Sequence, residues 1–286
     1  MKFGLSCSTV LGHSPAARDV IRLVQEAEAV GFHSILVGDH VLRPLAFDAS
    51  SYPAGIFDAE MPWYDPFVLL AAVAGVTQTI RLGTGVSVVP YRPPVLQAQA
   101  IATLDFMSEG RFFYGAGVGW MREEYEALGV PFAARGQRTD EYLEIIKSLL
   151  SGKSDGFHGS CIDFPGGHIH PLPVQKPHPP IIIGGETQAA LRRIAKYGDG
   201  FHINWKTLAE LERLLGDLAV HMADNGRVVS SLYKQLAATD IALVRAAKND
   251  LADYAALGVD EIIFSPKHDS PAQGIEAVKR FADEFF

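Results

Sequence analysis

Asp39 and His40 stand side by side at the end of a short apolar run, Ser34–Gly38. An imidazole in that position can move a proton near neutral pH, and a neighbouring carboxylate can orient it or raise its basicity. The same pair could equally cap the following loop or bind a backbone amide. Three glycine-containing stretches offer a different chemistry. Leu82-Gly83-Thr84-Gly85-Val86-Ser87-Val88 places two glycines inside an apolar run, which marks either a bulge approaching a flat ligand or tight packing at a barrel centre. Gly115-Ala116-Gly117-Val118-Gly119-Trp120 exposes bare backbone amides that could hold a phosphate or the polar edge of a cofactor. It is not the dinucleotide-binding fingerprint: the spacing differs, it lies far from the first apolar run, and no matched acid follows. Gly184-Gly185-Glu186-Thr187 follows an apolar run and opens a helical pattern. Free N–H groups and a helix dipole would converge there on an anion, with an ordinary tight turn as the alternative.

Other reactive residue types lack a supporting pattern. His168, His170 and His178 lie in a Pro- and Gly-rich stretch without carboxylate or thiolate spacing, and are read as solvated loop histidines with no metal expected. Neither Cys7 nor Cys161 carries a signature of nucleophilic catalysis, and there is no G-x-S-x-G elbow or phosphate-binding P-loop. Arg135, Arg138, Glu141 and Glu144 read as the solvated face and ion pairs of one helix, and Arg192 and Arg193 as solvent or ion-pair residues.

Such groups need a scaffold, and the hydrophobic pattern supplies one. Short runs rich in Val, Ile and Phe alternate with longer amphipathic segments, as in βαβ units around a parallel sheet. The runs are Phe3–Ser8, Ser34–Gly38, Ile80–Val89, Phe112–Gly115, Pro180–Ile183, Gly200–Ile203, Leu236–Val244 and Glu261–Ser265. Helices are expected from the cap and first-turn proline Ser14-Pro15 to Val30, where Gly31 ends the pattern, and over Asp65–Val76, Pro94–Met107, Thr139–Leu150 and Pro271–Phe285. Eight strand–helix pairs in 286 residues predict an α/β fold, a single (β/α)8 TIM barrel filling residues 1–286. A doubly wound open sheet is the alternative, because the pattern does not itself show closure. In a barrel the reactive groups belong to the loops at the carboxyl ends of the strands. Two connections are long: Val41–Tyr64, with three prolines, Tyr52, Phe57 and Trp63, and Ser151–Pro179, rich in Gly, His and Pro. Both are read as insertions at the C-terminal face.

Composition narrows the partners. The chain is 48% hydrophobic and 20% charged, which excludes a disordered tail protein. Its 25 basic and 33 acidic residues give a net charge of −8, so nucleic acid and anionic membrane surfaces are not expected as partners. Two cysteines cannot build a disulfide framework and suit a reducing compartment. With no cleavable signal and no long apolar span, a soluble cytoplasmic protein is expected.

At the same residues the chain resembles the bacterial luciferase-like monooxygenase superfamily, in its coenzyme F420-dependent branch. The resemblance is carried by Ala27-Glu28-Ala29-Val30-Gly31-Phe32 running into Val37-Gly38-Asp39-His40, by IRLGTGVSVVPYRPP, GRFFYGAGVGWMREEYEALGVPF and RGQRTDEYLEIIKSLLSG, and by PHPPIIIGGETQAALRRIAKYGDGFH. Together they span most of residues 1–203; the tail beyond carries no distinctive motif. The resemblance implies a TIM-type barrel that binds a flavin-like ring at the carboxyl ends of the strands, with a non-prolyl cis peptide at Gly85-Val86, next to Thr84, bulging against the ring. It further implies Asp39 as a ring contact and His40 as the acid/base group. Gly117, Val118, Gly119 and Trp120, with Gly184, Gly185, Glu186 and Thr187, would hold the cofactor's ribityl and phosphate portion.

The expected activity is F420-dependent hydride transfer to or from an organic small molecule. The alternatives are an FMN-dependent monooxygenase supplied with reduced flavin by a reductase, and a non-catalytic flavin-binding barrel. The resemblance also implies a homodimer. In the F420-dependent sugar-phosphate dehydrogenases of the superfamily a tryptophan follows the Asp-His pair and a glutamate sits in the fourth-strand loop. Here those stretches read Val41-Leu42-Arg43-Pro44 and Gly119-Trp120-Met121. Sugar-phosphate oxidation is therefore not expected, and the apolar 41–64 loop with Trp120 points to a hydrophobic or aromatic substrate.

Overall fold

The computed structural model describes residues 1–7, 16–45, 62–152, 155–238, 241–265 and 270–286. Ser14-Pro15, Tyr52 and Phe57, on which expectations rested, lie outside the described residues. The chain runs β1 (Lys2–Ser6), α1 (Ala17–Ala29), β2 (Ser34–Val37), α2 (Pro66–Ala74), β3 (Arg81–Thr84), β4 (Ser87–Val88), α3 (Pro94–Met107), β5 (Phe112–Gly117), α4 (Arg122–Ala127) and α5 (Arg135–Leu150). It continues through β6 (Phe157–His158), β7 (Asp163–Phe164), β8 (Ile181–Gly184), α6 (Gln188–Tyr197), β9 (Gly200–Asn204), α7 (Leu208–Asp224) and β10 (Tyr233–Ala238). The last elements are α8 (Ile241–Ala246), α9 (Leu251–Ala256), β11 (Glu261–Phe264) and α10 (Pro271–Phe285).

The main sheet has the order β3-β2-β1-β11-β10-β9-β8-β5-β4, and pairing of β3 with β5 closes it. All of its pairings are parallel. With β4 continuing β3 beyond the cis Gly85-Val86 peptide, the barrel has eight staves, and closure rules out the open sheet. Strands such as β2 (SILV) are buried throughout, because helices cover one face and the barrel interior the other.

Local chemistry starts the helices where the strands require them. Asp65 accepts from the N–H groups of Phe67 and Val68 ahead of Pro66, so α2 begins directly after the 41–64 connection. Thr207 and Glu210 form a reciprocal capping box on α7, and Ser270 with Pro271 starts α10. The main core lies between sheet and helices, and a separate interior cluster holds Leu36, Phe113, Ile182 and Ile263. Of the two glycines in β3 and its continuation, Gly83 leaves the space that the Phe113 ring occupies, so it serves interior packing. Gly85 precedes the cis bond to Val86, and a Cβ on it would come within 2.9 Å of the Leu36 side chain.

Several boundaries differ from the expected ones. The run Leu236–Val244 divides: β10 ends at Ala238, and Val244 is a buried residue of α8. α8 buries only Val244, so the apolar letters of Ile241 and Leu243 do not mark a continued buried strand. The fourth stave extends to Gly117, and α5 starts at Arg135. Of the long connections, the one that begins at Val41 leaves the carboxyl end of β2, and its residues 46–61 lie outside the described residues. Ser151–Pro179 instead leads from the end of α5 to the start of β8, on the side of the strands' amino ends. Glu141 fastens that second connection and is not on a solvated face. It is buried, and it accepts from the N–H groups of Ser160, Cys161 and Ile162. Those bonds hold its carboxyl below the usual carboxylate range even though burial pushes the other way.

Arg193 is likewise buried and paired with Asp140. His168 and His170 are exposed, whereas His178 is half-buried with Nδ1 2.9 Å from the Pro179 carbonyl. Among the described residues no helix is long and apolar enough to cross a membrane.

Arg111 ties the second and third βα units together. It donates to the carbonyls of Ala74, Thr77, Ile80 and Ser108 and to the Thr77 hydroxyl, at 2.9–3.1 Å. Arg111→Met leaves these half-buried acceptors without a donor. Urea unfolding of the variant should show a loss of about 3 kcal/mol, with Arg111→Lys recovering only part of it because one ammonium cannot reach all five acceptors.

Candidate functional site

The carboxyl ends of the staves surround a cleft of about 460 Å³. One wall carries the reactive side chains. His40 leaves the end of β2, and its Nδ1 lies 3.0 Å from Oε2 and 3.2 Å from Oε1 of Glu124 in α4. Glu124 is fully buried and also accepts from the Tyr91 hydroxyl at 2.7 Å and the Val41 N–H at 2.7 Å. Burial alone would raise its carboxyl, but His40, Tyr91 and Val41 together hold it below the usual range. The Tyr91 phenol is correspondingly raised by burial and by that carboxylate. With the imidazole Nδ1–H given to Glu124, Nε2 is the nitrogen left to exchange a proton. The indoles of Trp63 and Trp120 stand edge-on to the His40 ring at 4.1 and 5.5 Å between centroids.

Asp39 borders the same cleft, yet both its carboxylate oxygens are engaged by the fold. Oδ2 accepts from Ser87 Oγ, Val88 N–H and Arg92 Nη1, and Oδ1 from Arg92 Nη2. Arg92 reaches on to Asp65 at the start of α2. Burial works against the guanidinium charge, but the two carboxylates raise its pKa. Asp39 thus fixes β4 and the turn after it relative to β2, and so fixes the distance between the cis bond and His40.

The floor is Val86. A Cβ placed on Gly117 would come within 2.6 Å of a Val86 methyl, and one on Gly184 within 2.9 Å. The strand ends around that residue therefore have to be bare backbone. Gly119 and Gly185 have φ of +65° and +113°, a region glycine enters without the penalty other residues meet. This is a seat for a flat ring edged by peptide groups, the kind of cradle a flavin-type cofactor fits.

The expected site residues Asp39, His40, Gly85, Val86, Gly117, Val118, Gly119, Trp120, Gly184, Gly185 and Glu186 all border this one cleft. Thr84 is buried, with its hydroxyl donated to the Gly115 carbonyl at 2.6 Å. Thr187 caps α6 by accepting from the Ala190 N–H. Glu186 pairs with Lys206, and the Gly185 N–H goes to the His202 carbonyl.

Glu124, Tyr91, Arg92, His202 and Asn204 were not singled out in the sequence, and Trp63 was named only as part of the long 41–64 connection. Two of them left a signal there. Met121, Glu124 and Tyr125 are all buried, so Glu124 lies on the apolar face at the i, i+3, i+4 spacing. In β9, His202 alternates with Phe201 and Ile203, which face the outer core, and so points into the barrel. Among the described residues no group of three or more potential metal ligands occurs.

Comparison with known proteins fits this geometry. The family model for luciferase-like monooxygenases matches residues 1–281. An uncharacterised protein of Mycobacterium tuberculosis is 37% identical over 201 residues, 68% of each chain. An F420-dependent secondary alcohol dehydrogenase, solved with an F420–acetone adduct, superposes with a TM-score of 0.76 at 16% identity, covering 98% of this chain and 97% of that one. The oxygenating constituent of 3,6-diketocamphane monooxygenase from Pseudomonas putida, solved with FMN, gives 0.75 at 15% identity, covering 100% and 97%. At these identities the two structures speak for the fold.

Asp39→Ala would leave the buried Ser87 hydroxyl and Val88 N–H without their acceptor and take from Arg92 its buried partner, leaving it only Asp65. Denaturant unfolding should show a loss of about 3–5 kcal/mol, the range for breaking a buried pair from one side. Acid should weaken the fold through histidines held neutral. His33, depressed from 6.5 to about 4 by burial and then by Lys2 and Arg81, takes up its proton in the unfolded chain first. His202, also pushed down to about 4 by burial, behaves alike. Their contribution is complete above pH 6.5 and lost as the pH falls toward 4. Stability measured across that window should decline, and the decline should be shallower in His33→Gln.

Proposed function

The chain belongs to the luciferase-like monooxygenase family, and from that premise we propose that it is an F420-dependent oxidoreductase acting on an apolar or aromatic organic substrate. The observation that carries this reading is the Glu124–His40 pair on the wall of a glycine-edged cleft, flanked by two indoles. A barrel that merely stored a ring would need the glycines but no buried carboxylate aimed at an imidazole. When bound, the deazaflavin supplies the hydride chemistry. Gly117 to Trp120 and Gly184 to Glu186, with Val86 beneath, would hold it.

The chain's own residues do the rest. Glu124 fixes the His40 ring and its tautomer and stabilises the imidazolium that forms when Nε2 takes a proton. Tyr91 and the Val41 N–H keep Glu124 ionised in a place where burial would otherwise neutralise it. Asp39 and Arg92 hold His40 and the strand break in register. Trp63 and Trp120 offer apolar surface next to His40, suited to an apolar or aromatic substrate and to shielding the proton transfer from water. The protein is read as a soluble homodimer acting on a small molecule.

The second reading is an FMN-dependent monooxygenase that receives reduced flavin from a reductase. The match to the monooxygenase family and the FMN complex of a protein with this fold favour it. Titration with F420 and with FMN, read by fluorescence quenching, separates the two: micromolar preference for F420 supports the first reading, and preference for FMN overturns it. His40→Ala should lower turnover about a hundredfold or more while leaving cofactor affinity nearly intact, and Glu124→Gln should lose a large part of the same factor. Full activity in His40→Ala would remove the acid/base assignment.

A further inference from the structure

Behind the cleft floor a chain of polar side chains runs down the barrel interior. Glu261, at the start of β11, is buried and accepts from Ser34 Oγ at 2.6 Å, Gln235 Nε2 at 2.8 Å and the Tyr233 hydroxyl at 3.2 Å. Burial raises its carboxyl above the usual range. The other end of the Gln235 amide, Oε1, lies 3.3 Å from His202 Nδ1. Strand register puts these groups next to one another: Gln235 pairs with both His202 and Glu261. The His202 ring borders the cleft, and among the described residues it makes no other hydrogen bond.

The order of donors and acceptors along this chain is forced from one end. An ionised Glu261 has no proton to give, so in that state the amide NH₂ of Gln235 faces it. Against the ionised carboxylate, reversing the amide would set its carbonyl against carboxylate oxygens and lose that buried hydrogen bond. The amide oxygen then faces His202, whose Nδ1 must carry the hydrogen. Burial keeps the ring neutral, its pKa lowered to about 4, so Nε2 holds a bare lone pair.

We infer that Glu261 and Gln235 lock His202 in its Nδ1–H form, and that His202 Nε2 accepts a hydrogen bond from an N–H or O–H group of the ring seated in the cleft. His202 is then a cofactor contact of opposite character to the peptide amides of the rim, selecting for a ring that presents a donor at that edge. Gln235 and Glu261 are positioning residues that act through it. The inference rests on reading the cleft as a flavin-type seat, and its two halves can be tested apart.

Long-range proton–nitrogen NMR spectra of the free, 15N-labelled protein, assigned against His202→Phe, give the tautomer directly. The expected result is a protonated Nδ1 and an unprotonated Nε2; the reverse overturns the inference. Glu261→Gln supplies a donor where there was only an acceptor, frees the Gln235 amide to turn, and should let the Nε2–H form appear. An unchanged tautomer in that variant overturns the positioning roles of Gln235 and Glu261.

FMN and F420 are then added in turn. The one that binds should shift the Nε2 resonance, and its affinity should fall about tenfold in His202→Phe, one hydrogen bond's worth, but much less in His202→Gln, whose amide oxygen can also accept. A bound ring that leaves the resonance and both variants' affinities unchanged overturns the contact. If neither compound binds the wild type, the flavin-type reading falls and takes the contact with it, while the spectra of the free protein still decide the tautomer.

Discussion

A carboxylate taken out of water has to collect its hydrogen bonds from the protein, and the mouth of this barrel is organised by two that do so. Glu124 draws in His40, Tyr91 and the backbone after β2; Asp39 draws in Arg92, Ser87 and the backbone of β4. Between them these bonds tie only two staves to α4, so satisfying the two charges fixes the second stave, the broken third one and α4 in a single geometry. The orientation of His40 and the position of Val86 are by-products of that requirement. This is why the neighbours Asp39 and His40, which look like a pair, belong to different networks: one anchors the wall and the other works in front of it.

A third carboxyl group, Glu261, follows the same rule deeper in the barrel, with Ser34, Gln235 and Tyr233 as its donors. The interior below the cleft is thus half apolar, around Leu36, Phe113, Ile182 and Ile263, and half a directed polar chain ending at His202. Gly4 is bare because its missing Cβ leaves space for Ser34, Ile263 and Glu261. Packing of the barrel and polarity of the cleft floor are therefore one arrangement, since a residue change at the bottom alters which donors face the top.

The glycines divide by physical task. Gly83 makes room for Phe113; Gly117 and Gly184 make room for Val86; Gly119 and Gly185 adopt positive φ at the rim. Only the last two groups shape the cleft. In the string LGTGVSVV and in GAGVGW these duties look alike, since a glycine needed for a neighbour's side chain and one needed for its own backbone are the same letter.

The order of the elements, the barrel they form and the stretch holding His40 were legible in the residues, because alternating buried strands and amphipathic helices leave a period that survives without knowledge of contacts. The resemblance also marked the glycine-rich strand ends that came to border the cleft. What the residues did not disclose was which partners those groups meet. Glu124 lies 84 positions from His40, and Arg92 lies 53 from Asp39. Glu141 reads as an exposed helix residue until the 160–162 backbone folds over it. The end of β10 at Ala238 was hidden because Ile241, Leu243 and Val244 of α8 carry the same apolar letters as a strand although only Val244 is buried. Local sequence encodes periodicity and caps, which act over a few residues. Hydrogen-bond satisfaction of buried charge acts across the closed barrel, and only closure brings its donors within reach.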